Sequence, residues 1–231
     1  MLDLKQQDWT VDQSASLTPQ LYRILRERII SADLMPGSRI SEAEIASSYS
    51  LSRQPVREAF IKLAEDGLLE VRPQRGTYVR KISAAAVTDV RFVREAIEAD
   101  IVRLVAEQAD SALVKELQAQ IREQQELPET EASRFMTLDE RFHRTLAEAA
   151  GKAYAWKVIE QVKGQMDRVR YLSALQFPKR DLVAQHTEIV KAIAEHDPDG
   201  AATAMRAHLR KILTDLPAMA VARPDFFETA T

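Results

Sequence analysis

Cysteine is absent from the 231 residues. No disulfide framework and no thiolate zinc finger can form, and a reducing compartment suits such a chain. Glycine is scarce, at six positions. Few glycines mean few tight turns, which favours helices over a many-stranded sheet. No uninterrupted apolar stretch approaches the roughly 18 residues of a membrane span. The opening MLDLKQQDWTVDQ lacks the basic start and apolar run of a signal peptide, so the cytoplasm is the expected location. A strong excess of one charge is lacking too. The net charge is −3, but residues 17–82 carry 11 Lys and Arg against 8 Asp and Glu, while residues 83–231 carry 20 against 24. That mild bias directs any nucleic-acid contact to the N-terminal third.

What is present reads as a mainly α chain of two domains. Residues 1–16 are polar, with Trp9 isolated, and form a loose arm. A first helix is expected from Thr18, as cap, with Pro19 in its first turn. Its apolar stripe is Leu21, Leu25, Ile29 and Ile30. Met35-Pro36-Gly37 makes a turn, and Ser41 with Glu44 opens a second helix as a capping box. Ser52 caps a third helix to about Asp66, with Val56, Ala59, Phe60 and Leu63 inward and Gly67 at its end. Two strand-like runs, 68–71 and 77–82, flank the basic tip Arg72-Pro73-Gln74-Arg75-Gly76. Three helices and a hairpin make a winged helix-turn-helix over residues 17–82.

The third helix of such a module enters the major groove of double-stranded DNA. Its first turn carries Arg53, Gln54 and Arg57, and the two arginines share a face. Arg can grip guanine, and Gln adenine, through paired hydrogen bonds. Ser52 and the free N–H groups at the helix start suit phosphate. Arg72, Arg75 and Gly76 let the wing lie along a groove or the backbone.

Residues 83–220 form an antiparallel all-α bundle, followed by a tail at 221–231. Six helices are expected, at 84–108, 110–126, 130–150, 153–175, 179–196 and 198–219, punctuated by Pro128, Gly151, Pro178, Pro198 and Pro217. Three of the four histidines fall on apolar stripes: His143, four residues after Asp139; His186, among Leu182, Ile189 and Ile193; and His208, between Met205 and Ile212. His196 has no such context. Spacing alone leaves open satisfied core histidines, a proton-sensing cluster, and a divalent metal shell. Arg94 lies on the stripe Val90, Arg94, Ile97, Ile101. A buried guanidinium there needs either a structural Glu or an anionic ligand. Arg168 and Arg170 read as solvated or helix-terminal. A metalloenzyme is disfavoured, because no HExxH pattern and no base beside the histidines is present.

The strings P-G-S-R-I-S-E-A-E-I-A, L-S-R-Q-P-V-R-E-A-F, D-G-L-L and R-G-T-Y-V closely resemble the DNA-binding domain of GntR-type regulators. That resemblance implies recognition through Ser52, Arg53, Gln54, Pro55 and Arg57, with the wing tip at Arg75 and Gly76. Ala43 stands where some members carry a DNA-contacting arginine. V-R-E-A-I-E at 93–98, D-E-R-F-H at 139–143, Q-H-T-E-I at 185–189 and M-R-A-H-L at 205–209 resemble the FadR-like branch with its helical FCD effector domain, in the six-helix VanR-like subgroup. This implies a metal, zinc above nickel, held by Asp139, His143, His186 and His208, and a small carboxylate effector reaching Arg94. It also implies a homodimer, usually a repressor, on a palindromic operator. A purely structural metal, or sensing of the metal itself, stays open at this point.

Overall fold

The computed structural model describes residues 9–229, which fall into two compact units. Residues 1–8 of the expected arm lie outside the described residues. Its remainder is held down: Val11 packs on the core of the first unit, and the Gln20 amide donates to the Asp12 and Ser16 carbonyls.

In the first unit, α1 (Leu17–Ile30) buries Leu21, Ile24, Leu25 and Ile29 at helical spacing. Thr18 does not cap it. The N-cap position is Ser16, and the Thr18 hydroxyl instead donates to Glu58 of α3 at 2.8 Å. Helix α2 (Glu42–Ser48) starts on Ser41, whose Oγ accepts from the Ala43 N–H. Helix α3 (Arg53–Glu65) buries Val56, Ala59, Phe60 and Leu63. Gly67, at φ 68°, supplies the left-handed residue that turns the chain out of it.

The sheet has one strand more than the sequence suggests. Strands β2 (Leu69–Arg72) and β3 (Gly76–Val79) form the wing hairpin, and β1 (Arg39–Ile40) adds antiparallel to β3, giving the order β1-β3-β2. Two residues carry too little periodicity to announce a strand. Leu21, Leu25, Ile45, Val56, Phe60, Leu63, Leu68 and Val79 close one core over this sheet.

The second unit holds seven helices: α4 (Ala84–Gln108), α5 (Ser111–Gln125), α6 (Ala132–Ala149), α7 (Ala153–Val162), α8 (Gly164–Gln176), α9 (Lys179–Ala194) and α10 (Pro198–Ala222). The helix expected over 153–175 is thus broken in two at Lys163, next to Gly164, a residue type that weakens helix continuity. The bundle therefore contains seven helices, not six. Pro217 does not interrupt α10, which runs through it to Ala222. The residues after Ala222 return to the first unit. Ile82 donates its N–H to the Phe226 carbonyl at 2.8 Å and accepts from the Glu228 N–H at 2.9 Å. Both Phe226 and Phe227 are buried, so this stretch is not a free tail.

Helix α8 is buried on nearly every side, although it carries Asp167, Arg168 and Arg170. It contacts α4, α6 and α10. Charges in such a position must be paired or serve a ligand.

Candidate metal centre and nucleic-acid interface

The bundle brings His143 of α6, His186 of α9, His208 of α10 and Asp139 together, with ligand atoms all within 4.8 Å of one another and all four residues buried. His143 Nε2 lies 3.2 Å from His208 Nε2 and 3.8 Å from Asp139 Oδ2; His186 Nε2 lies 3.5 Å from Asp139 Oδ1. His196 is elsewhere, its Nδ1 3.0 Å from the Ala106 carbonyl.

The opposite nitrogen of each ring faces an oxygen. His143 Nδ1 is 2.5 Å from Glu98 Oε2, His186 Nδ1 2.8 Å from Gln124 Oε1, and His208 Nδ1 3.1 Å from Gln185 Oε1. An oxygen acceptor at Nδ1 places the proton there and leaves Nε2 as a bare lone pair. With that tautomer, the Nε2 lone pairs of His186 and His208 turn toward the Asp139 carboxylate and the His143 ring. The Nε2 of His186 has no hydrogen-bond partner despite full burial. Buried acceptors gathered this closely suit a cation, and a three-imidazole, one-carboxylate donor set fits zinc or nickel.

Electrostatics agree with that geometry. Burial pushes the His186 ring down to about 3 and His208 well below its ordinary value, so both are neutral at pH 7. Burial works against ionisation of Asp139, but the Arg170 guanidinium outweighs it and holds the carboxyl below the usual range. At Glu98 burial is likewise outweighed, by Arg94 and His143, and the group falls to about 2.

A narrow cavity of about 40 Å³ opens beside this cluster. Asp139 and His208 are part of its wall. Arg94, Arg170, Lys211 and Ser173 add polar groups, and Phe135, Met136, Met166 and Ile212 supply apolar ones. Of the two partners its position suggested, Arg94 has the structural Glu: its Nε donates to Glu98 at 2.6 Å, and its side chain also lines the cavity. Arg170 is not solvated. It pairs with Asp139 and with Asp167, at 14% side-chain exposure. Arg168 is also buried, and burial lowers its guanidinium to about 10. Spacing missed Gln124, Gln185, Arg170, Ser173 and Lys211. Glu98 alone had a signal, standing four residues after Arg94.

In the first unit, Ser52, Arg53, Gln54 and Arg57 are exposed at the start of α3, Pro55 is half-buried, and Arg75 is exposed at the wing tip beside Gly76. Ser52 makes no cap bond, which leaves its hydroxyl available. The Gln54 amide donates to Glu58 at 2.9 Å, so reading a base would require that bond to be exchanged. Gly76, at φ 103°, lies against Arg39: a Cβ there would come within 2.8 Å of the Arg39 Nε. Among the described residues, Arg39, Arg53, Arg57 and Arg75 form no ion pair. Their guanidinium charges are therefore not neutralised by carboxylates.

A winged helix-turn-helix joined to a separate bundle with a histidine centre defines a class of DNA-binding regulator. Residues 17–79 match the family described as bacterial regulatory proteins, gntR family, and residues 89–211 match the FCD domain; the chain belongs to the GntR family, as a member with an FCD domain. It is 39% identical over 210 residues to the HTH-type transcriptional repressor RspR of Escherichia coli strain K12, covering 90% of this chain and 92% of that one. It is 38% identical over 224 residues to the uncharacterized HTH-type transcriptional regulator YdfH of Escherichia coli O6:H1, covering 94% and 98%. A GntR putative transcriptional regulator from Rhodococcus sp. RHA1 superposes with a TM-score of 0.72 at 26% identity, over 87% of this chain and 98% of that one. These are transcription regulators, not enzymes. No helix among the described residues is long and apolar enough to cross a membrane.

Proposed function

We propose that this regulator is a homodimeric repressor whose grip on a palindromic operator is controlled by a small organic acid, bound at a zinc or nickel ion in the bundle. The observation that carries the reading is the convergence of Asp139, His143, His186 and His208, with ligand atoms within 4.8 Å of one another, beside a cavity lined by Arg94, Arg170 and Lys211. An ion held by Asp139, His143, His186 and His208 would supply a Lewis-acid anchor for a carboxylate oxygen. Arg94 and Arg170 add charge-assisted donors, and the apolar walls exclude water, which strengthens both. In the first unit, Ser52, Arg53, Gln54, Pro55 and Arg57 meet the major groove, and Arg75 with Gly76 follows the backbone.

Chain connectivity supports the coupling. The chain passes between the units twice, entering α4 after Ser83 and leaving α10 after Ala222. Helix α4 carries Arg94; α10 carries His208 and Lys211. An acid touching these helices acts on the two segments that continue into the DNA-binding unit. It shifts operator affinity to the extent that it binds one arrangement of the dimer better than the other.

The test uses an operator selected from random-sequence DNA by the full chain. Operator affinity is then titrated with short carboxylic acids in zinc-loaded and chelator-stripped protein. Acid-dependent release that disappears on stripping, while stripped protein still binds DNA, is the expected result. Equal response with and without metal would sink the metal-anchored part of the reading.

A further inference from the structure

Asp139 is the one carboxylate among the four clustered residues, and it already has a counter-charge. Its Oδ2, the oxygen that faces His143 Nε2 at 3.8 Å, pairs with the Arg170 guanidinium of α8. Arg170 is held in that place from its other side. Its Nη1 donates to Asp167 at 3.2 Å, Asp167 pairs with Lys163 at 2.8 Å, and Lys163 also reaches Glu140 at 3.1 Å. Asp167 and Lys163 are buried. Lys163 is the residue at which α7 gives way to α8. A buried ammonium set there between two carboxylates fixes Asp167, and Asp167 fixes Arg170 against Asp139.

Charge decides what this does to a metal ion. On the His143 side stand Glu98 and Arg94, which pair with each other. Along the cavity, Lys211 pairs with Asp215. On the α8 side, Arg170 and Lys163 stand against Asp139, Asp167 and Glu140, and Glu140 pairs with Arg144 as well. Every carboxylate around the centre thus has a cation of its own, and the donor set brings no surplus negative charge. A divalent ion entering it is a buried charge without balance. Arg170 repels that ion at close range and draws on the same carboxylate oxygen.

We infer that Arg170 sets the metal affinity of the centre: fixed by Asp167 and Lys163, it competes with the ion for Asp139 and keeps that ion exchangeable. Occupancy of the bundle then follows the supply of the metal instead of being permanent. This rests on the reading of Asp139, His143, His186 and His208 as a metal centre.

Zinc affinity of the full chain, measured by competition with a chelator, tests it. Arg170→Gln should bind zinc at least about tenfold tighter than wild type, because a cation has been taken from beside the ion. Asp167→Asn leaves Arg170 and Lys163 with one carboxylate fewer, and should bind zinc at least about threefold more weakly. Arg170→Lys keeps the charge and should not reproduce the gain of Arg170→Gln. Opposite signs from two neighbours in one buried network separate this role from a structural one, since lost packing would weaken both. Melting temperatures with and without zinc check that each variant folds; if Arg170→Gln does not, the sign at Asp167→Asn decides. Zinc binding weakened or unchanged in Arg170→Gln, not weakened in Asp167→Asn, or tightened equally in Arg170→Lys would overturn the inference. Wild type that binds zinc no better than His186→Ala would instead sink the metal centre itself, and this inference with it.

Discussion

Gln124 Oε1 sits 2.8 Å from Nδ1 of His186, and both side chains are sealed from solvent. The amide oxygen fixes the proton on Nδ1 and thereby turns the Nε2 lone pair toward Asp139. Gln124→Leu keeps the volume and removes the acceptor. Metal affinity, measured by competition with a zinc chelator, should fall about 10–100-fold although no ligand atom has been touched. A change within threefold would show that the tautomer is set otherwise.

Glu98 gives the folded protein a pH dependence with a defined sign. Its carboxyl is lowered to about 2, so the unfolded chain binds its proton first. The stabilisation is complete above the ordinary carboxylate value and is lost as pH falls from about 4.5 toward 2. Metal-free wild type should lose melting temperature over that window more steeply than Glu98→Gln. At neutral pH the variant should be less stable by about 3–5 kcal/mol, because Arg94 remains buried without its carboxylate.

The two parts of the DNA face should fail differently. Arg57→Ala removes a candidate base contact; it should cost about 1–3 kcal/mol on the selected operator and relax preference at one position. Arg75→Ala should weaken selected and unrelated sequences alike and reduce the slope of log affinity against log salt by about one. Fluorescence anisotropy at several salt concentrations separates them. Identical profiles would remove the assignment of α3 to bases and the wing to phosphate.

Gly76 is held at φ 103° under the Arg39 guanidinium. Gly76→Ala should cost about 1–2 kcal/mol from the backbone alone, and it should displace Arg39. The expected readout is a lower melting temperature together with weaker operator binding. Arg39→Ala should reproduce the second effect without the first. Unaltered binding in both would detach Arg39 from the interface.

The winged module was legible because its signals are local. Caps, turns and an apolar stripe at 3.6-residue spacing sit within a few residues of one another, as at Val56, Ala59, Phe60 and Leu63. Strand β1 escaped because two residues have no period of their own and pair with β3 across more than thirty positions. The histidine cluster could be suggested from inward-facing spacing, since each His lies on an apolar stripe. Its supporting oxygens could not. Gln124 and Gln185 look like ordinary helix-surface residues until α5, α9 and α10 are packed. Arg170 misled for a related reason: α8 is buried all round, so no periodicity distinguishes an inward charge from an outward one. The break at Lys163 was hidden in a stretch whose helix propensity is continuous.

The return of the chain after Ala222 makes the bundle an insertion within the DNA-binding unit rather than a domain appended to it. The first unit is discontinuous in sequence, completed only when Phe226 and Glu228 bond to Ile82. An excised fragment that stops at Ile82 therefore lacks a piece of its own fold, and a label fused after the last residue travels with the DNA-binding unit, not with the bundle. Splicing residues 223–231 directly onto the end of the linker restores that piece in a single small chain.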